Sequence, residues 1–367
     1  MLIRSMLRGL DPLAAVHSVF GRQAPANNLI GCGGSQRLTI GREVGWSRTG
    51  VTNKGGRQIL AAAMALACAG VTGAHAARAA AADDAFAAYR KGDYAKAMTL
   101  LKPQAAAGDM KAQYSLGAMF ENALGVAEDD AEAARWLRKA AAKGDVFAQI
   151  DLAGLYERGK GVGRDYAQAM RLYLLAAAKG EPAAELGVGA LYDRGLGVAA
   201  DPKQAAAWYR KAAERGHAEA QYDLGVLYAA GRGAPKDLAQ AAAWYRKAAD
   251  QGHDSAALNL GALYYGGEGV KQDPAEAVRW FRVAAQQGNG HAQFNLAALY
   301  AQGDGAPQNL PAALVWFSAA SATLKGDEAQ AALDSGKALA AQMTPAQRDQ
   351  AKAMAQACKA GDYKVCD

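Results

Sequence analysis

The residues able to do chemistry recur along this chain instead of clustering. His217 and His253 stand 36 positions apart, and so do Gly195-Leu196-Gly197 and its copies at Gly159, Gly231, Gly267 and Gly303. A histidine pair suggests a metal and a Gly-x-Gly loop suggests a phosphate cradle, but the spacing opposes both. Equivalent residues in stacked helix pairs lie ~15–20 Å apart if neighbouring axes pack at ~8–10 Å, too far to share an ion. Phosphate loops follow a strand, whereas these follow a helical pattern and return in every copy, which is how a turn behaves. His217 and His253 read as N-terminal helix residues, and His291 has no histidine partner at ligand spacing. No acidic pair, Ser-His or Cys-His arrangement stands out, so no catalytic residue, metal or cofactor is expected.

The recurrence itself is the informative feature. Tyr156, Tyr192, Tyr228, Tyr264 and Tyr300 keep a 36-residue interval, with Phe120 one interval earlier. Trp136, Trp208, Trp244, Trp280 and Trp316 share a second register, with Leu172 in the gap, and Gly144, Gly180, Gly216, Gly252 and Gly288 punctuate the ends. A period of this length marks a stack of like units, so the fold follows from the period.

Within the copy from Ala220 to Gly252, Ala220, Leu224, Leu227 and Tyr228 fall at i, i+4, i+7 and i+8, the buried face of a first helix, A. Gly231-Arg232-Gly233-Ala234-Pro235 ends it, and Asp237 offers an acceptor to the free N–H groups of a second helix, B. Asp201-Pro202 and Asp273-Pro274 add proline at the first helical position. Along B, Ala241, Trp244, Tyr245, Ala248 and Ala249 form the apolar stripe. Glycines in mid-helix A, at Gly117, Gly189, Gly225 and Gly261, each cost about 1 kcal/mol against alanine, which predicts close packing that a Cβ would obstruct. Two short helices cannot bury both ring layers alone; stacking consecutive pairs does.

The string AQYDLGVLYAAGRGAPKDLAQAAAWYRKAADQG, from Ala220 to Gly252, and the copy from Ala256 to Gly288 resemble the Sel-one-like repeat family. The resemblance runs from about Asp84 to the C-terminus. It implies an all-α fold, a right-handed α-solenoid of stacked helix-turn-helix repeats of 36 residues, and protein-protein scaffolding in envelope assembly or host contact, with no shared catalytic residues. A cysteine-rich branch of the family, linked to penicillin binding and β-lactamase activity, carries two cysteines per unit. This chain has none between Cys68 and Cys358, so a hydrolase of that kind is the lesser alternative. A peptidoglycan- or exopolysaccharide-binding module is another. It would need aromatic platforms, and only Phe147 fits that description.

The predicted layout is a leader over 1–50, a signal peptide over 51–76, a linker over 77–83, a solenoid over 84–327 and capping helices with a tail over 328–367. The solenoid divides into a half repeat, 84–108, and full repeats starting near 112, 148, 184, 220, 256 and 292. Lys54 and Arg57, the apolar run from Ile59 to Ala69 and the small residues Ala74-His75-Ala76 have the order of a secretory signal, with cleavage near Ala76. We expect translation to start near Val51, and the mature chain to be periplasmic or secreted. The run is too short for a membrane span. The +6 net charge of the whole chain falls to zero once the residues before Ala77 are removed, leaving no electrostatic footprint for nucleic acid. Cys358 and Cys366 then remain as an even pair able to close a small terminal loop by a disulfide.

A binding surface is expected on helix A opposite its buried side, which in helical-pair solenoids lines the concave groove. At about 100° per residue, Asp151, Arg158, Arg194, Asp223, Asn259 and Asn295 fall on that strip and are the candidates for hydrogen-bonding a protein or peptide partner.

Overall fold

The computed structural model describes residues 84–360; the predicted leader, signal peptide, linker and Cys366 lie outside them. Among the described residues there are helices and no strands. Helical residues 84–90 (α1) and α2 (Tyr94–Ala106) lead in. Six hairpins follow: α3 (Met110–Glu121) with α4 (Asp130–Ala142), α5 (Val146–Arg158) with α6 (Tyr166–Ala177), and α7 (Pro182–Arg194) with α8 (Pro202–Glu214). Then come α9 (Ala218–Ala230) with α10 (Leu238–Ala249), α11 (Asp254–Gly266) with α12 (Pro274–Gln286), and α13 (Gly290–Gln302) with α14 (Leu310–Thr323). The helices α15 (Gly326–Gln342) and α16 (Pro345–Ala360) close the stack against α14. The odd-numbered helices from α3 to α13 are the A helices, and the even-numbered ones from α4 to α14 are the B helices.

Local chemistry sets the boundaries. His217 is the N-cap of α9, its Nδ1 accepting from Ala220 N–H at 3.4 Å, and His253 does the same for α11 at 3.2 Å. Gly231 ends α9 in the left-handed region (φ 67°), where only glycine sits without strain. Asp237 accepts from Gln240 N–H at 2.9 Å and opens α10. At the last helix Thr344 and Gln347 form a reciprocal capping box, with bonds of 2.9 and 3.2 Å.

Every A helix from α5 to α13 packs between its own B helix and that of the preceding hairpin. The glycines in mid-helix A mark the first of these contacts. A Cβ on Gly225 would lie 2.7 Å from the Tyr245 ring, and one on Gly117, Gly189 or Gly261 would meet Leu137, Tyr209 or Phe281 at 2.6–2.8 Å. The loop glycines serve the stack as well as the turn. A Cβ on Gly233 would stand 2.1 Å from the Pro202 carbonyl oxygen, so each Gly-x-Gly loop presses its second glycine on the start of the preceding B helix.

The continuous buried series is Leu137, Tyr173, Tyr209, Tyr245, Phe281 and Phe317, one residue after the tryptophan register. The tryptophans divide. Trp280 and Trp316 are buried, while Trp136, Trp208 and Trp244 are half-buried under Lys139, Lys211 and Lys247, whose ammonium groups stand 3.9, 3.6 and 3.9 Å from the ring centroids. Cys358 is 2 % exposed and disulfide-bonded; its expected partner, Cys366, is not among the described residues.

Candidate functional site

The predicted strip on the A helices does not face open solvent. Asn259 and Asn295 are buried, Asp151, Asp223 and Arg158 are partly covered, and Arg194 alone is exposed. The cause is the preceding hairpin's B helix, which packs on each A helix closely enough to cover the strip as well as the flank. The register shows it directly. A Cβ on Gly187, the strip residue of α7, would lie 2.8 Å from the Tyr173 ring of the preceding hairpin. Fourteen residues beyond the next tyrosines, Asp223 stands near Tyr209 and Asn259 near Tyr245. Each of these positions therefore forms a wall of a notch floored by the previous hairpin's ring.

Around these notches, polar bridges join neighbouring layers of the stack. Arg158 donates to Glu121 at 2.8 Å and Arg232 pairs with Asp193. His253 bonds Glu219 at 3.1 Å; because its Nδ1 accepts from the α11 backbone, the proton shared with Glu219 sits on Nε2. Asn289 donates to Asp254 at 2.8 Å, and His291 faces Glu328 at 3.3 Å. A second set lies deeper: Gln113, Gln149, Gln221 and Gln293 donate to the carbonyls of Ala105, Ala141, Ala213 and Ala285 at the ends of α2 and of the preceding B helices, at 3.0–3.2 Å.

Two carboxyls in this face hold their protons unusually well. Burial, and then the charge of Glu121, push Asp151 up to about 7, against the opposing effects of the Tyr114 hydrogen bond and Arg158. Asp223 is likewise pushed up to about 7, by burial and then by Glu219 and Asp193, with His253 and Arg194 opposing. Glu219 moves down, chiefly because His253 donates to it. Among the described residues no group of three or more His, Cys, Asp or Glu side chains is placed to hold a metal ion.

Of the six predicted strip residues, the structure brings Asp223 and Asn259 into one neighbourhood with Tyr222 and Tyr245, sets Arg194 near Asp223, places Arg158 beside Asp151, and leaves Asn295 apart in the core of α13. Sequence reasoning passed over Tyr114, Asp193, Tyr209, Tyr245 and the capping His253 as parts of this face. The fourteen-residue step from buried B ring to strip position is the pattern that would have found the tyrosines.

The comparisons agree with this architecture. The Sel1 repeat family model matches residues 111–145, 146–181, 182–217, 218–253, 254–289 and 290–322. A Sel1 repeat protein from Oxalobacter formigenes is 32 % identical, covering 65 % of this chain and 96 % of that one, with a TM-score of 0.59. A protective antigen present in uropathogenic Escherichia coli strains, displaying an SLR fold, is 31 % identical over 74 % of this chain and 66 % of that one, with a TM-score of 0.46. No curated protein matches the chain. With consecutive family matches spanning more than half of its length, the chain belongs to the Sel1 repeat family.

Proposed function

We propose that this protein is an exported, non-enzymatic scaffold that holds a protein partner along its A-helix face, the concave side in such solenoids, in assembly of a bacterial envelope or in contact with a partner outside the cell. Sel1 repeat proteins generally mediate protein-protein interactions and generally act without catalysis. Among the described residues no helix is long and apolar enough to cross a membrane. Export rests on the order of basic, apolar and small residues before Ala77.

The observation that carries the reading is the row of charged side chains on successive A helices, with Asp151, Arg158 and Asp223 partly covered and Arg194 exposed beside them. Charged groups that are neither fully solvated nor fully paired gain most from a partner that completes their hydrogen bonds. Affinity capture on the full chain, repeated with D151A, R158A, R194A and D223A combined, tests it. Partner recovery should drop at least tenfold in the variant, by the loss of several such contacts. Recovery unchanged in a variant that keeps its helical circular dichroism would exclude this face as the docking surface.

A further inference from the structure

We propose that the B-helix face of the stack is a docking surface for an anionic phospholipid bilayer, with Leu174 and Leu175 entering its acyl boundary and Arg138, Lys139, Arg210 and Lys211 on either side bonding its phosphates. This face lies opposite the groove, so the proposal stands apart from the scaffold reading above.

Charge is divided between the two helix layers. Each B helix from α4 to α12 carries more Lys and Arg than Asp and Glu, and no A helix does, although the chain from Ala77 on is neutral as a whole. The B helices lie side by side with their ends in line. Lys179 Nζ donates at 2.6 Å to the carbonyl of Gly144, just past the end of α4, and Lys143 donates likewise to Gly108, just past α2. Their cations therefore collect on one surface.

The densest row is Arg138-Lys139 on α4, Arg210-Lys211 on α8 and Arg246-Lys247 on α10, which hold one register at 36-residue steps. Their partners are neutral. The arginines donate to the hydroxyls of Tyr156, Tyr228 and Tyr264 on the following A helices, at 3.3 and 2.7 Å for the first two, while the lysines stand over Trp136, Trp208 and Trp244. A phenol and an indole hold these side chains in place without cancelling their charge.

On α6 the same register holds Leu174 and Leu175, 39 % and 53 % exposed, and Leu172 takes the tryptophan position. The stack has no need of leucine here, since α14 stands with Ser318-Ala319 and three other B helices with Arg-Lys. A soluble polyanion would pair the cations and leave the leucines in water. Two copies meeting through the leucines would bring their flanking cations together. A bilayer surface satisfies both groups, with phosphates for the cations and an apolar boundary for the leucines, and the half-buried indoles beneath the lysines suit that interfacial depth. The outer layer of such a solenoid is convex, so it meets a plane over only a few helices. Contact through α4, α6 and α8 puts the leucines at its centre.

The test is co-sedimentation of the full chain with vesicles of equal parts phosphatidylglycerol and phosphatidylcholine, against phosphatidylcholine alone. A parallel sample lacks residues 1–76, which removes the apolar run from Ile59 to Ala69. Both samples should bind the anionic vesicles well above the neutral ones. R210Q with K211Q should weaken binding roughly tenfold or more. Leu174→Arg with Leu175→Lys, the pair this register already carries on α4, α8 and α10, should keep the helical circular dichroism and bind as well as the parent at low salt. At high salt, where the apolar contact is what persists, it should bind roughly tenfold more weakly. The groove variant combining D151A, R158A, R194A and D223A should bind vesicles like the parent, which keeps failure here distinct from failure of the groove reading. Equal binding to neutral vesicles, binding lost with residues 1–76, or indifference to R210Q with K211Q would overturn the proposal. Leu174→Arg with Leu175→Lys binding as well as the parent at high salt would make the face a surface for soluble polyanions. The same exchange turning a dimer into a monomer without altering vesicle binding would assign the leucines to a second copy, and either result overturns the bilayer.

Discussion

At the scale of single residues, burial has made Asp151 and Asp223 the titrating groups of the A-helix face. Their folded-state values of about 7 lie above the ordinary carboxyl value of 3.8, so the native chain binds these protons more tightly than the unfolded chain. The stability each contributes is complete below pH 4 and is lost as pH rises through about 7. D223N removes the group that must ionise. Its thermal midpoint should match the parent at pH 4 and exceed it at pH 8, by an amount equivalent to about 1–3 kcal/mol after allowance for partial solvent screening. D151N should behave alike, and a parallel offset at both pH values would contradict the assignment. Sequence reasoning reached these two aspartates by helical angle alone. It could not foresee their burial, because an angle on one helix says nothing of how close the preceding hairpin's tyrosine comes. Asn259 and Asn295 were placed on an open surface for the same reason, and the structure buries both.

At the scale of the hairpin, the period made the fold legible almost throughout, because glycine, proline and aspartate mark boundaries by local chemistry that neighbours do not alter. The mid-helix glycines are the sharpest example. A Cβ on Gly225 would come within 2.7 Å of Tyr245. G225A should therefore destabilise the chain by about 1–3 kcal/mol through overpacking, less the ~1 kcal/mol that alanine returns in helix propensity. Gly266 is the control, since a Cβ there meets only the flexible Glu268 at 3.4 Å. G266A should be neutral or stabilising by up to about 1 kcal/mol in chemical unfolding. Equal responses of the two variants would show that propensity, not packing, governs the register. Less legible were contacts between copies that depend on paired departures from the repeat. Where the next copy places Gln221 beside Gln251 at 2.7 Å, the copy before it sets the buried Glu185 against Arg215 at 3.4 Å. Each half reads as an ordinary surface substitution until the thirty-residue separation is noticed. R215Q alone should destabilise the protein, and E185Q with R215Q should recover most of the loss, because the double change restores the neutral pair of the next copy.

At the scale of the whole molecule, contacts between units run almost entirely between sequence neighbours, from each B helix to the following A helix. Stability in such a stack is a sum of unit and interface terms, so an entire unit can leave if the interface it exposes matches the one it covered. Removing residues 218–253, a complete family match, joins α8 to α11 in unbroken register. Tyr209 would then floor a notch walled by Asn259 in place of Asp223, and the second loop glycine, Gly269, would meet the start of α8 where Gly233 did, at Pro202. Because Leu238, its present neighbour, and Pro202 hold equivalent positions at the starts of α10 and α8, the new junction repeats an existing one. This deletion should therefore fold, with helicity lowered in proportion to the residues lost and a modestly lower denaturation midpoint. Removing only 218–235 should not fold well, since it sets α8 against α10, two B helices whose apolar stripes are built to face A helices. The experiment compares both deletions by circular dichroism and urea unfolding. A 218–253 deletion that loses helicity out of proportion to the residues removed would show that the copies are not interchangeable, and that one junction in the stack depends on more than its nearest neighbours.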